Sequence, residues 1–199
     1  MSVARRICPS FTVRDEYKTT YNDIVRYCLM ADGTLDPDKG LWLWGDIGTG
    51  KTTLLRIIRD YCALVRPCDS DGRRYGFRIT NAVDVGYRFS SKGYDGIKEY
   101  IGRETEMYIG QSNFNTDLSR EAFDELGSEP RIMQHYGSVL NVFQYILQMR
   151  YDRRGRGNIT HVTTNLAPKQ IIEYYEARIY DRCKEMFNFV ELRGKTFRT

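Results

Sequence analysis

Residues 45 to 53, GDIGTGKTT, contain the residue types that bind a phosphate group. Gly45, Gly50, Lys51 and Thr52 match the pattern G-x-x-x-x-G-K-[ST] in full. Glycines let backbone N–H groups converge on a polyphosphate, where larger side chains would block the approach. We expect the Lys51 ammonium to reach the β and γ phosphates and the Thr52 hydroxyl to bind Mg²⁺. The stretch therefore predicts a phosphate-binding loop.

The segments on both sides of this loop favour the same interpretation. The apolar run LWLW (41–44) lies between glycines, which predicts a strand buried on both faces. Residues 51–65 have helical periodicity, and the N–H groups at a helix N-terminus attract anions. These flanks disfavour the alternative of a glycine-rich turn without a ligand. The predicted nucleotide-binding residues are Gly45, Asp46, Ile47, Gly48, Thr49, Gly50, Lys51, Thr52 and Thr53.

Two adjacent acids in AFDELGSE (122–129) are candidates for the second part of such a site. Asp124 would hold Mg²⁺, and Glu125 would act as the general base toward an attacking water. Neighbouring residues of a strand face opposite sides, so both acids reach one site only where the strand ends in a turn. The preceding TDLSRE (116–121) is unusually polar for a buried strand. An exposed acidic turn therefore remains the alternative.

A polar residue ends another predicted strand, in HVTTNL (161–166). Ligands of α/β sheets bind at the carboxyl ends of the strands, so Asn165 could hydrogen-bond a γ-phosphate or the attacking water. The alternative is that Asn165 caps the helix that begins near Pro168.

Arg178 and Arg182 lie four residues apart, on one face of a predicted helix. Arginine stabilises charge on a transferring phosphoryl group and is often supplied by a neighbouring subunit. The alternative is a solvated helix face, in which these arginines pair with Glu176, Asp181 or Glu185.

The rest of the chain alternates between helical and strand patterns, which predicts right-handed βαβ units and a mainly parallel sheet. Helices are expected at 14–30, 51–65, 137–154 and 168–187, and strands at 41–44, 75–85, 121–126, 158–165 and 187–194.

Composition limits the class of protein. A chain of 199 residues with 41% apolar residues supports one sizeable core. A net charge of +4 is compatible with DNA binding without being evidence for it. The five cysteines form no CxxC pair, which disfavours a zinc site or a disulfide framework and favours the cytoplasm. No apolar run is long enough to span a membrane.

Four segments together resemble the DnaC/IstB-like branch of the AAA+ ATPases. They are residues 40–55, 123–129, 150–166 and 178–198, in the order and spacing of that branch. The resemblance implies a three-layer α/β/α P-loop NTPase core at 38–199. Two departures from the family are expected: the N-terminal extension at 1–37, with one helix, leaves little room for a separate helicase-binding domain, and no separate lid domain is expected after the last strand.

The resemblance also implies a role for each candidate residue. Gly45 to Thr53 would be Walker A, and Asp124 and Glu125 would be Walker B. Asn165 would be sensor 1. Arg182 would be the arginine finger with Arg178 as its companion, and Arg198 would be a late arginine near the nucleotide.

The implied function is Mg²⁺-dependent binding and hydrolysis of ATP in DNA replication, as a DnaC-like helicase loader. Such a protein would form a homo-oligomer, bind single- or double-stranded DNA and contact a replicative helicase. The short N-terminal extension slightly favours an alternative, an IstB-like transposition helper that contacts a transposase. A third reading is an ATP-gated DNA or protein binding module with little hydrolysis.

Residues that could contact DNA or the base are less sharply defined. Basic clusters lie at Arg5/Arg6, Arg73/Arg74 and Arg150/Arg153/Arg154/Arg156, and Tyr94 and Tyr100 are interleaved with Lys92 and Lys98. Such aromatics could stack on unpaired bases, although the spacing also fits an ordinary amphipathic helix. Phe11 or Tyr17 could cover the adenine.

Overall fold

The computed structural model describes residues 1–66, 75–102, 120–154, 158–194 and 196–197. Its helices are α1 (Ser2–Ile7), α2 (Lys18–Cys28), α3 (Lys51–Val65), α4 (Ala82–Lys92), α5 (Tyr94–Ile97), α6 (Val142–Asp152) and α7 (Pro168–Met186). Single 3-10 turns lie at Asp15–Tyr17 and Lys98–Tyr100. Within these described ranges, no helix combines the length and apolar character needed to cross a membrane.

The strands are β1 (Gly40–Trp44), β2 (Arg78–Asn81), β3 (Glu121–Leu126), β4 (Met133–His135), β5 (Ser138–Leu140), β6 (Thr160–Thr164) and β7 (Phe187–Glu191). Five of them form one sheet in the order β2-β3-β6-β1-β7, and every neighbouring pair in it is parallel. The other two, β4 and β5, form an antiparallel hairpin. The predicted mainly parallel α/β fold is confirmed, and the carboxyl ends of β3, β6 and β1 lie side by side.

The sheet is covered on both faces, which gives three layers. Alternate side chains of β1 point to opposite faces: Trp42 packs in one apolar cluster, while Leu41 and Leu43 pack in the other. The first cluster takes its α-helical members from α4, α5, α6 and α7, and the second from α2 and α3. This explains why LWLW is a continuous apolar run, since a strand buried on both faces needs no polar positions.

The N-terminal segment is part of the second layer. Ile24 and Tyr27 of α2 are buried with Leu55 and Ile58 of α3. The predicted helix at 14–30 is present as a 3-10 turn followed by α2, and the short helix α1 was not predicted. The extension therefore packs directly on the helix that follows the phosphate-binding loop.

Two predicted elements were assigned too long. The strand expected at 75–85 ends at Asn81, whose side-chain oxygen accepts a hydrogen bond from the Val83 N–H at 2.9 Å and caps α4. The helix expected at 137–154 begins only after Asn141, which caps α6 by accepting from the Gln144 N–H at 3.1 Å. In both places an asparagine cap, read as part of the neighbouring element, marks the true boundary.

The predicted helix at 168–187 is present as α7 but is interrupted. Glu176 has φ 73° and ψ 157°, which no α-helix accommodates. The Asn141 side-chain amide donates to the Tyr174 carbonyl at 2.9 Å, beside the break. The last ten residues of α7 therefore form a helical stretch of their own, which carries both candidate arginines.

The polar residues at the start of β3 are buried rather than exposed. The Arg78 guanidinium donates to Glu121 at 2.8 and 3.1 Å, which places an ion pair beside the sheet. Burial nevertheless raises the pKa of Glu121. The alternative of an exposed acidic turn is wrong, because Asp124 lies within β3 and is only 7% exposed.

Candidate nucleotide-binding site

The glycine-rich loop joins β1 to α3, as its sequence predicts. Gly50 has φ 86° directly before the first helical residue, Lys51, and this left-handed conformation favours glycine. At Gly45, with φ 140°, a Cβ atom would overlap the carbonyl oxygen of Leu192. The loop can therefore form this compact cradle at the N-terminus of α3 only with glycine at these two positions.

The Lys51 side chain folds back onto the start of the glycine-rich loop. Its ammonium donates to the carbonyl oxygens of Gly45 at 2.7 Å and of Asp46 at 2.6 Å. The Thr49 hydroxyl also donates to the Asp46 carbonyl, at 2.9 Å. The lysine is thus held within the cradle, where its charge would meet phosphate oxygens.

Asp124 is joined to the loop and to the next strand by hydrogen bonds. Its Oδ1 accepts from the Thr52 hydroxyl at 2.9 Å and from the Thr163 hydroxyl at 2.5 Å. Thr52 and Asp124 therefore present two hard oxygen ligands side by side, which suits Mg²⁺. Across the part of the chain that the structure describes, no three His, Cys, Asp or Glu side chains cluster as metal ligands. A cation here would need phosphate or water oxygens to complete its coordination.

A β-bulge lets Glu125 line the cavity while its neighbour Asp124 bonds to Thr52 and Thr163, which also line it. The pairing of β3 with β6 shifts register between Phe123 and Leu126, and Glu125 takes a left-handed φ of 60°. The Glu125 N–H donates to Thr163 Oγ at 2.9 Å, which fixes this conformation. The extra residue interrupts the alternation of side chains along the strand. The bulge, and not the turn expected at the end of the strand, therefore directs the two acids.

Asn81 contacts Glu125 and was not identified from the sequence. Its side-chain amide donates to Glu125 Oε2 at 3.2 Å, while its oxygen caps α4. One side chain therefore connects the candidate base to a neighbouring helix. An asparagine directly before a helical pattern is the signal that could have identified it.

Asn165 follows β6 and lines the same cavity as the loop. The cavity lining consists of Ile47, Gly48, Gly50, Lys51, Thr52, Thr53, Glu125, Thr163, Thr164, Asn165 and Phe197. The alternative role of Asn165 as a helix cap is wrong, because Ala167 is the N-cap residue of α7 and its N–H donates to Gln170 at 2.8 Å.

The two candidate arginines lie away from this cavity. Arg182 is half-buried, 3.4 Å from Asp152 and with its guanidinium 4.6 Å from the centre of the Tyr151 ring. Arg178 is exposed. Arg182 therefore pairs with α6 and not with the acids of its own helix, and neither arginine lines the cavity of its own chain. Arg198 lies outside the described residues, as do Arg73, Arg74 and Arg156.

Two of the residues expected to contact DNA are buried. Arg150 is completely buried and donates to Thr160 Oγ at 2.5 Å and to the Tyr100 carbonyl at 2.9 Å. Tyr100 is buried as well. The interpretation of these two residues as DNA contacts is wrong, whereas Arg154 and Tyr94 are exposed. The amphipathic alternative fits the region around Tyr100 better.

The aromatic residue that lines the cavity is one that the sequence did not single out. Tyr17, expected as a cover for the base, is only 2% exposed and packs beneath Phe197 at 6.2 Å between ring centres. Phe11 contacts Tyr21 and does not line the cavity. Phe197, 39% exposed, does line it.

Several solved structures share this architecture. The structure of DnaI is similar with a TM-score of 0.61 and 20% identity, over 98% of this chain and 93% of DnaI. The DnaC helicase loader gives 0.60 and 16%, over 94% of this chain and 96% of that one. This chain has the DnaC/DnaI fold. The resemblance seen in the sequence is thus confirmed for the fold.

A more distant similarity extends the comparison. AMPPCP-bound DnaA from Aquifex aeolicus is similar with a TM-score of 0.54 and 15% identity. The match covers 92% of this chain and 48% of the DnaA chain. No protein-family model matches the sequence, and no curated protein matches it in sequence.

Proposed function

We propose that this protein is an Mg²⁺-dependent AAA+ ATPase that acts in DNA replication as a DnaC-like helicase loader. One observation carries the proposal: the phosphate loop, Glu125 and Asn165 follow or belong to three adjacent strands and line one cavity, and Asp124 accepts a hydrogen bond from Thr52, which also lines it. Ligands of α/β sheets bind at this edge. The similarity to DnaI and DnaC supports the role, and the cytoplasm remains its proposed location.

The polar residues divide into binding and reacting groups. Backbone N–H groups of residues 45–53 and the Lys51 ammonium bind the phosphates, and Thr52 and Asp124 hold Mg²⁺. The cation, when bound, neutralises charge on the transferring phosphoryl group. Glu125 accepts a proton from the attacking water, and Asn165 orients that water or the γ-phosphate.

The arginines support an oligomeric enzyme. Arg178 is exposed and Arg182 lies outside the cavity of its own chain. An arginine that stabilises the transferring phosphoryl would then come from a neighbouring copy. We propose a homo-oligomer in which each α7 completes the site of the next subunit.

Binding and hydrolysis are tested with two variants. Lys51→Ala should lower the affinity for Mg·ATP about tenfold or more, since it removes charge-assisted hydrogen bonds. Glu125→Gln should keep the affinity and lower hydrolysis by about 10²- to 10⁴-fold. The matched control, Lys98→Ala, removes an exposed lysine and should change neither quantity. Wild-type affinity in Lys51→Ala would remove this lysine from the site.

The oligomeric site is tested by mixing two inactive variants. Arg182→Ala retains an intact cavity and Glu125→Gln retains its arginine, so mixed assemblies should recover part of the hydrolysis rate. Specific activity of the wild type should also rise with protein concentration. A mixture no more active than the sum of its parts would contradict a finger supplied by a neighbour.

A second candidate, an ATP-gated binding module with little hydrolysis, is favoured by one contact. Asn81 engages the Glu125 carboxylate, which competes with its use as a base. In that case Glu125→Gln would support the biological function as well as the wild type does. Pull-down with a replicative helicase against a transposase separates the loader from the transposition helper, and single- and double-stranded DNA identify the nucleic-acid partner.

A further inference from the structure

The chain after β7 runs along the phosphate loop. The Leu192 N–H donates to the Trp44 carbonyl at 2.8 Å, directly before the loop begins. Further on, the Phe197 N–H donates to the Gly48 carbonyl at 2.8 Å. A Cβ atom on Gly48 would collide with Thr196. The described residues 192–194 and 196–197, which we call the C-terminal strap, therefore lie beside the loop, and Phe197 of the strap lines the cavity.

Phe197 is held in place from the N-terminal extension. The Arg14 guanidinium stacks on the Phe197 ring, with its central carbon 3.6 Å from the ring centre. Arg14 also donates to the Thr196 carbonyl at 3.3 Å. Tyr17 packs beside Phe197 at an interplanar angle of 25°. The ring is thus oriented by three contacts before any ligand enters.

Both polar and apolar side chains line the cavity. Glu125, Thr163 and Asn165 mark the part where the γ-phosphate would lie, next to the Thr52–Asp124 pair. Phe197 lines the same cavity together with Ile47, which is 66% exposed. The Phe197 ring carbons lie 3.7 Å from the position of a Cβ on Gly50, so the ring stands against the loop itself.

A triphosphate whose γ end lies beside the acids must place its nucleoside against other parts of the cavity lining. An aromatic ring does not stabilise a phosphate group, whereas a nucleobase binds to it by stacking. We propose that Phe197, oriented by Arg14, is the aromatic platform that binds the base of the nucleotide. This inference rests on the proposed function, because it assigns the base subsite of the same nucleotide site.

The test separates recognition of the base from recognition of the phosphates. Isothermal titration calorimetry measures the affinities for ATP and for tripolyphosphate, which has no base, in the presence of Mg²⁺. Stacking on an aromatic side chain accounts for about a 5- to 100-fold difference in affinity. Phe197→Leu keeps an apolar side chain but removes the ring. It should therefore weaken ATP binding by that factor and leave tripolyphosphate binding within about twofold of the wild type.

Two further variants make the result specific. Phe197→Trp should retain ATP affinity within about threefold, because the indole also stacks. Tyr87→Ala removes an exposed aromatic ring on α4, outside the cavity lining, and serves as the control. Far-UV circular dichroism checks that each variant is folded.

The outcomes distinguish this inference from the proposed function. If the wild type binds neither ATP nor tripolyphosphate, the nucleotide site itself is wrong. If the wild type binds ATP and Phe197→Leu binds it equally well or more tightly, the platform is overturned while the site survives. Equal losses of ATP and tripolyphosphate would also overturn it, because the strap would then only support the loop.

Discussion

A single hydroxyl group connects the two acids of the candidate site. Thr163 Oγ donates to Asp124 Oδ1 at 2.5 Å and accepts from the Glu125 N–H at 2.9 Å. Valine has nearly the same shape as threonine and lacks the hydroxyl. Thr163→Val therefore removes both hydrogen bonds at a buried position without opening a cavity.

The expected loss follows from these two bonds. A hydrogen bond to a charged carboxylate contributes about 1.5–3 kcal/mol, and an unsatisfied N–H costs about 1 kcal/mol where it is only partly buried. Asp124 keeps its bond from Thr52. The free energy of unfolding should fall by about 2.5–4 kcal/mol. In a chain of this size, that corresponds to a decrease in Tm of about 5–15 °C.

Two measurements check this prediction. Urea unfolding followed by circular dichroism gives the free energy, and Thr19→Val, at an exposed position of α2, should stay within about 0.5 kcal/mol of the wild type. ATP hydrolysis should fall more than Mg·ATP affinity, because Glu125 loses the bond that holds its φ at 60° while the phosphate loop is unchanged. A variant with the wild-type urea midpoint would refute the reasoning about this network.

Three other variants test the architecture by urea unfolding. Arg150→Ala should lower the free energy of unfolding by about 3 kcal/mol or more, because the buried Thr160 hydroxyl and Tyr100 carbonyl lose a charged partner. A decrease below about 1 kcal/mol would contradict the buried placement of Arg150. Burial, followed by the charge of Arg120, lowers the pKa of His161 from 6.5 to about 3, so this group should lower the free energy of unfolding by about 1.4 kcal/mol per pH unit between pH 6.5 and about 3. His161→Asn should remove that slope, and an unchanged slope would assign it to other groups. Gly45→Ala should unfold at lower urea than the wild type, since its Cβ meets the Leu192 carbonyl; an unchanged midpoint would contradict this close approach.

The phosphate loop was predictable because its signal is local. Its spacing, the apolar strand before it and the helical periodicity after it lie within about 25 consecutive residues, and each has a direct physical meaning. The parallel sheet followed from the alternation of strand and helix patterns. The position of Asn165 directly after β6 followed from the same logic, whereas Asp124 lies within β3 beside a bulge, and the roles of both residues remain predictions.

Features that depend on distant contacts were not predictable. The Glu125 bulge requires Thr163, which lies 38 residues further along the chain. Arg150 belongs to a basic run that resembles a DNA-binding surface, but its place on α6 turns it toward the carbonyl of Tyr100. Phe197 acquires its position from Arg14, at the other end of the sequence. Periodicity and motif spacing carry no information about such pairings.

The acids of the site and the arginine-bearing helix are also physically connected. Two residues after Gly127, the buried Glu129 accepts from the Gly127 N–H at 2.8 Å and from the Tyr175 hydroxyl at 2.5 Å. Tyr175 stands directly before the break of α7 at Glu176. Burial raises the pKa of Glu129. The hydrogen bonds from its two donors offset part of the cost of burying this carboxyl group.

The loop after Asp124 and Glu125 therefore cannot shift without disturbing the start of the helical stretch that carries Arg178 and Arg182. On the other side, Asn81 connects Glu125 to the N-terminus of α4. A rearrangement around Glu125 would thus be passed to α4 and α7 through these hydrogen bonds, because closely packed interiors transmit strain. In the proposed homo-oligomer, the same hydrogen bonds would connect the nucleotide site of one subunit to the Arg178 and Arg182 side chains that it presents to the next subunit.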